Sequence, residues 1–283
     1  MCRFLVYTGE PIVLSDLLYT PVHSIVKQGY AAHDEEDRVN ADGFGVGWYV
    51  PEISPVPALF RSAQPIWTSP SLRSVSSLTR TGLVFAHVRA ASEGLEVSEA
   101  NSHPFSSGPY LWMHNGTLGA HAKFRDWARR FLSFGAAANL RGTTDSEQLF
   151  ALFLDFLAQA SGSRDSASGL ADILRKTVRF LEDFQRETDV REPTTLNLAL
   201  TDGQSVLATR HALGSNKPPP SLHYASGVRL VPGSAGLSFE PAPGRGAVLM
   251  ASEPIFPHVS WREVPPGAML LARPDEPLEI LTL

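Results

Sequence analysis

The sequence predicts a layered α+β domain with helices outside packed sheets. Short β-type runs, separated by Gly, Pro, Ser and Asp clusters, dominate the first 115 residues. The middle third carries apolar residues at helix spacing. After Pro193 the β-type runs return. The strands on either side of the helical third read as one architecture, so the 283 residues are expected to form a single domain with a large core.

The early strands are expected at Arg3–Tyr7, Gly45–Val50, Leu83–Val88 and Tyr110–Met113, with a weak helical period over Asp16–Val26 that Pro21 breaks. In Ala122–Phe134 the residues Phe124, Trp127, Ala128, Phe131 and Leu132 share a helix face. Asp145–Ala160 is apolar nearly all round, as befits a helix sandwiched between layers, and Thr144 and Glu147 are spaced as a capping box at its start. Leu170–Gln185 is amphipathic. The later strands are expected at Leu196–Thr201, Ser205–Thr209, Ser221–Ala225, Ala247–Ser252, Ala268–Ala272 and Leu278–Leu281, the first two joined by an Asp202-Gly203 turn. Gln159–Gly169 and Ala212–Pro220 read as surface loops.

Composition narrows the function. Hydrophobic residues make up 43% and charged residues 19%, and the formal charge is −5. That balance gives neither nucleic acid nor an anionic membrane a basic surface. The N-terminus lacks the pattern of a signal peptide, and no apolar run has the length a membrane helix needs. A single cysteine allows no intramolecular disulfide, which favours a reducing, cytoplasmic location. The nine histidines show no metal-ligand spacing, so no metal and no cofactor are expected. Asp34–Asp37 reads as a solvated acidic loop.

The lone cysteine is Cys2, directly behind the initiator methionine. If Met1 is removed, one residue carries both a thiol and a free α-amine, and an amine of pKa near 8 can act as base for its own thiol. Five other stretches stand out. Phe85–Ser92 ends a strand in Arg89, whose guanidinium suits a bidentate carboxylate grip or a structural ion pair. Met113–Gly116 offers the Asn115 amide and the Gly116 N–H as oxyanion donors, although Asn-Gly is also a common hairpin turn. Gly142–Glu147 places Asp145 on a first helical turn, where it can receive an ammonium or complement the helix dipole. Asn101–Phe105 holds His103 in a rigid turn, as a positioning group or as a surface residue. Asn40–Trp48 packs three glycines among aromatics, with the wrong spacing for a dinucleotide fingerprint.

In sequence the order Met-Cys-Arg, NADGFG, HVRAAS, NSHPF, HNG, TTDSE resembles the class II glutamine amidotransferases, which are N-terminal-nucleophile hydrolases. The resemblance runs from Cys2 to about residue 160. The stretches 193–210 (PTTLNLALTDGQSVLATR), 248–254 (VLMASEP) and 261–265 (WREVP) extend it over essentially the whole chain. There the sequence is similar to the stand-alone γ-glutamyl hydrolases of fungal glutathione breakdown and of bacterial ergothioneine synthesis. The resemblance implies a four-layer αββα sandwich formed by residues 2–283 after removal of Met1. It implies Cys2 as nucleophile, its α-amine as base, and Asn115 and Gly116 as the oxyanion hole. Arg89 would hold the substrate α-carboxylate and Asp145 its α-ammonium, His103 would shape the pocket, and Asp42–Trp48 would line it.

A γ-glutamyl amide presents an amino-acid head and a side-chain carbonyl, so it needs each of these groups once. The expected reaction is hydrolysis of a small γ-glutamyl compound, with glutathione or a related γ-glutamyl thiol as leading substrate. The alternatives are the γ-glutamyl sulfoxide intermediate of ergothioneine synthesis, a glutaminase subunit feeding ammonia to a separate synthase, and an inactive scaffold. The resemblance leaves room for a peptidase or synthase subunit as partner.

Overall fold

The computed structural model describes residues 2–32, 39–91, 96–160, 166–233, 236–242 and 246–283. Met1, the acidic run Asp34–Asp37, Ser92 of the HVRAAS stretch and residues 161–165 of the expected loop lie outside them. In chain order the elements are β1 (Arg3–Val13), α1 (Leu14–Leu18), α2 (Ile25–Tyr30), β2 (Phe44–Val50), β3 (Ser54–Ser62), α3 (Pro70–Leu78), β4 (Arg80–Val88), β5 (Phe105–Ser107) and β6 (Tyr110–Thr117). The helical third follows as α4 (His121–Ala128), α5 (Phe134–Ala138), α6 (Asp145–Gln159) and α7 (Ala167–Thr188). The chain closes with β7 (Thr194–Thr201), β8 (Val206–Leu213), β9 (His223–Gly233), β10 (Gly236–Pro241), β11 (Ala247–Ala251), β12 (Arg262–Glu263), β13 (Ala268–Ala272) and β14 (Glu279–Thr282).

These strands form two antiparallel sheets. One runs β10-β9-β11-β1-β4-β2-β3, with β12 beside β9; the other runs β14-β13-β8-β7-β6-β5. Side chains alternate across each strand, so every strand feeds two layers of core. Phe4 and Val6 of β1, Phe85 of β4 and Met250 of β11 face inward onto Leu111, Met113, Ala199 and Leu270 of the second sheet. Leu5, Tyr7, Val84, Ala86 and Leu249 face outward onto Leu14, Leu17 and Leu18 of α1, Ile25 of α2 and Leu72 of α3. On the far side Trp112, Leu196, Leu198 and Leu200 pack against Leu149 and Phe153 of α6 and Leu174, Val178 and Leu181 of α7. The result is the αββα sandwich, in four layers.

Several elements differ from their expected bounds. The helix expected to Phe134 ends at Ala128, and the N–H groups of Arg130 and Phe131 close turns onto Trp127 and Ala128. Buried Asp155 then takes the Ser133 N–H at 3.0 Å, while Ser133 caps the separate helix α5 through the Ala136 N–H. Helix α7 begins inside the expected loop, at Ala167, because the Ser166 hydroxyl caps it through the Gly169 N–H. Strand β1 continues to Val13, and β9 to Gly233 through its hairpin with β10. Strand β3, helix α3 and strand β10 answer to no expected element.

Candidate active site

The register of β1 against β4 pairs Arg3 with Val88, which sets Cys2 beside Arg89 and Ala90. Cys2 is half-buried, its thiol donating to the Ala90 carbonyl at 3.4 Å and accepting the Ala90 N–H at 3.4 Å. Burial pushes the thiol pKa up; the Ala90 N–H and the charges of Arg89 and Arg3 pull it down. The next residue is clamped more firmly. Arg3 lies in a buried ion pair with Glu253, Nε to Oε1 at 2.6 Å, and its Nη1 donates to the Cys2 carbonyl at 3.1 Å. The backbone that carries the thiol is thus held from below by a charge-assisted contact.

Arg89, 3% exposed, sits at the exit of β4. Its backbone N–H donates to the Gly43 carbonyl and its carbonyl accepts from Asp42 N, while the Asp42 carboxylate accepts the Ala91 N–H at 2.8 Å. The NADGFG stretch therefore frames the arginine. The guanidinium Nη1 donates to the Glu96 carbonyl at 3.0 Å, and Nη2 has no hydrogen-bond partner among the described residues. Burial lowers the arginine's pKa, opposed by attraction to Cys2, Asp42 and Asp145. A buried guanidinium with one unanswered nitrogen is a receptor for an anion.

Asn115 and Gly116 come from the second sheet. They lie inside β6, paired with Asn197 and Leu196 of β7, so the Asn-Gly pair is strand and not a hairpin turn. Glycine is required there because a Cβ would collide with the Thr195 carbonyl oxygen and the His114 ring. Asn115 faces the first sheet, its Nδ2 donating to Ser252 Oγ at 3.4 Å while Oδ1 has no partner among the described residues. Ser252 Oγ also accepts the Phe4 N–H at 3.0 Å. One hydroxyl thus ties the strand of the thiol to the amide on the opposite sheet.

Asp145 begins α6 and is 9% exposed. Its Oδ2 accepts the Leu118 N–H at 2.9 Å and its Oδ1 the Ser146 N–H at 2.7 Å. Capping itself belongs to Thr144, whose hydroxyl accepts the Glu147 N–H. The Glu147 carboxylate takes the Arg141 and Gly142 N–H groups, so only half of the expected box forms.

His103 is not a surface residue. It is buried against His87, ring centroids 4.3 Å apart, and against Phe105 at 4.6 Å. Neither ring nitrogen of His103 or His87 has a hydrogen-bond partner among the described residues. Its contacts are with this wall, and the positive charge of Arg89 further disfavours protonation of the ring. Burial lowers the His87 pKa to about 3 and that of His103 well below its ordinary value. Both are neutral in the fold and protonate in the unfolded chain below about pH 6.5. More protons are then bound by the unfolded state, so stability falls as pH drops from about 6.5 toward the folded values, each ring contributing up to about 1.4 kcal/mol per pH unit. Urea midpoints measured across that window test this; a His87→Phe variant with the same slope as wild type would refute it.

Sequence reasoning missed Arg3, Glu253 and Ser252 as parts of this environment. Two of them stand in the VLMASEP stretch, but serine and glutamate after a strand carry no signal until β11 is placed beside β1.

The sequence profile described as glutamine amidotransferases class-II matches residues 18–282. The chain is 35% identical over 293 aligned residues to "Probable glutamine amidotransferase DUG3" of Saccharomyces cerevisiae, covering 95% of this chain and 81% of that one. It is 37% identical over 119 residues to the γ-glutamyl-hercynylcysteine sulfoxide hydrolase of Mycolicibacterium smegmatis, covering 42% of this chain and 52% of that one. Among solved structures, a glutamine aminotransferase class-II domain protein from Silicibacter pomeroyi superposes with a TM-score of 0.66 at 26% identity, covering 100% of this chain and 99% of that one.

Proposed function

We propose, from the premise that this chain belongs to the class II glutamine amidotransferases and is a γ-glutamyl amide hydrolase of N-terminal-nucleophile fold, that its substrate is glutathione or a related small γ-glutamyl thiol. The observation that supports a γ-glutamyl head is buried Arg89, one nitrogen unanswered among the described residues, within electrostatic reach of both the Cys2 thiol and the Asp145 carboxylate; the thiol leaving group rests on the sequence resemblance. That triangle matches a zwitterionic amino-acid head with a carbonyl at the end of its side chain.

In this reading removal of Met1 frees the α-amine of Cys2, which takes the thiol proton. The sulfur attacks the γ-carbonyl while Arg89 holds the α-carboxylate and Asp145 the α-ammonium. Negative charge developing on the carbonyl oxygen is met by Asn115 Nδ2 and the Gly116 N–H. His103 backs this pocket through its stack with His87. The leaving amine departs with the proton, and water then hydrolyses the γ-glutamyl thioester to glutamate, regenerating the thiol. The enzyme acts in the cytoplasm, alone or beside a peptidase or synthase subunit, and needs neither nucleic acid nor membrane. No helix among the described residues is long and apolar enough to cross a bilayer.

The test is glutamate release from Met1-processed protein with glutathione, glutamine and other γ-glutamyl amides. Glutathione or another γ-glutamyl thiol is expected to give the highest kcat/KM. Preference for glutamine by tenfold or more would reject the thiol assignment in favour of ammonia supply. The 119-residue match favours a second reading, a γ-glutamyl sulfoxide conjugate, which belongs in the same panel.

A further inference from the structure

Behind Asp145 lies a chain of polar groups that the scheme above does not use. His114, on the helix-facing side of β6, is buried; its Nε2 is 2.8 Å from the Thr195 carbonyl oxygen and its Nδ1 2.9 Å from Ser146 Oγ. Ser146 Oγ is also 3.1 Å from Asp145 Oδ1, the oxygen that already accepts the Ser146 N–H. A carbonyl oxygen only accepts, so Nε2 carries a proton. In a neutral ring Nδ1 is then an acceptor. The single hydroxyl proton of Ser146 has two acceptors in reach and can satisfy one.

We propose that His114 and Ser146 are positioning residues: the neutral ring, protonated on Nε2, draws the Ser146 hydroxyl proton onto Nδ1 and so keeps a lone pair of Asp145 open for the substrate α-ammonium. The proposal rests on the assignment of Asp145 to that ammonium. With the hydroxyl turned the other way, the Asp145 carboxylate would hold three donors, the Leu118 N–H, the Ser146 N–H and the Ser146 O–H, out of about four acceptor sites. The incoming ammonium, with three donors of its own, would then meet one free acceptor site instead of two, in a buried place where exchange with water offers little compensation. Gly116 makes room for this arrangement, since a Cβ there would strike both the His114 ring and the Thr195 carbonyl. The glycine of the oxyanion hole thus also seats the ring that tunes the ammonium site.

Two measurements test the relay. In 15N-labelled wild-type protein at neutral pH, the His114 ring is expected to show a protonated Nε2 and a bare Nδ1; two protonated nitrogens overturn the proposal. The second uses γ-glutamylanilide and glutaranilic acid, which lacks only the α-ammonium. His114→Gln keeps a donor toward Thr195 and removes the Nδ1 acceptor, so the hydroxyl turns onto Asp145. The KM of the ammonium-bearing substrate relative to its partner should rise about tenfold. Adding Ser146→Ala removes the competing donor and should bring that ratio back to within about twofold. A merely structural defect would raise both KM values together and would not be repaired by a second truncation; either outcome overturns the relay. Asp145→Asn separates the two levels. If it shifts the ratio and His114→Gln does not, only the relay fails; if Asp145→Asn leaves the ratio unmoved, the ammonium assignment fails and the relay with it.

Discussion

Cys2→Ala is expected to lose glutamate release by a factor on the order of 10⁴ or more, because removing a nucleophile leaves only binding and oxyanion stabilisation. The variant should fold. The thiol makes two 3.4 Å contacts with Ala90, and losing them should cost no more than about 1 kcal/mol in urea denaturation. The clamp on that residue is the Arg3 contact to its backbone carbonyl, which alanine retains. Turnover within tenfold of wild type by the alanine protein would remove Cys2 from the chemistry. The same loss is expected when Met1 is kept on by a sequence that blocks its excision, since the thiol then has no free amine beside it. A blocked protein of full activity would leave the thiol in place and remove the amine as base.

Arg89→Ala is expected to raise KM about 100-fold, as befits a lost charge-assisted contact of about 2–3 kcal/mol, with a smaller effect on kcat. Arg89→Lys should recover little of this. The guanidinium already spends Nη1 on the Glu96 carbonyl and offers Nη2 to the ligand, and an ammonium cannot serve both directions with a planar fork. Alanine also takes one of the two donors from the Glu96 carbonyl, leaving Asn101 Nδ2 at 3.0 Å, so a parallel stability measurement separates folding loss from binding loss. A KM unchanged in either variant would reject the carboxylate role.

Much of this architecture was legible in the chain. Alternation in β1 and β4, the helix stripe of α7 and the near-uniform apolarity of α6 follow directly from which layers they face. Strand β3 was not legible, because Pro55 and Pro57 interrupt its pattern. It lies at the end of its sheet, where a proline's missing N–H need not cost a ladder bond. Helix α3 was hidden by its serines, although Ser69 before Pro70 is a helix start, and the Ser69 hydroxyl does accept the Leu72 N–H. The candidate residues Cys2, Arg89, Asn115, Gly116 and Asp145 were visible as types. Their grouping came from the family resemblance alone and not from the residues themselves: physically it depends on β6 lying across from β1 and on α6 starting beside Leu118. Asn115-Gly116 shows the limit most plainly. The dipeptide favours a turn locally, and the crowding by Thr195 and His114 that makes glycine obligatory within a strand is a contact between distant parts of the chain.

The hydroxyl of Ser252 touches Phe4 on one sheet and Asn115 on the other. In mechanical terms the active site is an alignment gauge for the two halves of the sandwich. A slip of one sheet over the other by a single ångström changes the thiol-to-amide spacing by a comparable amount, whereas rearranged surface loops leave it untouched. The packing between the sheets, from Phe85 and Met250 to Leu111 and Met113, is therefore the ruler that sets this spacing.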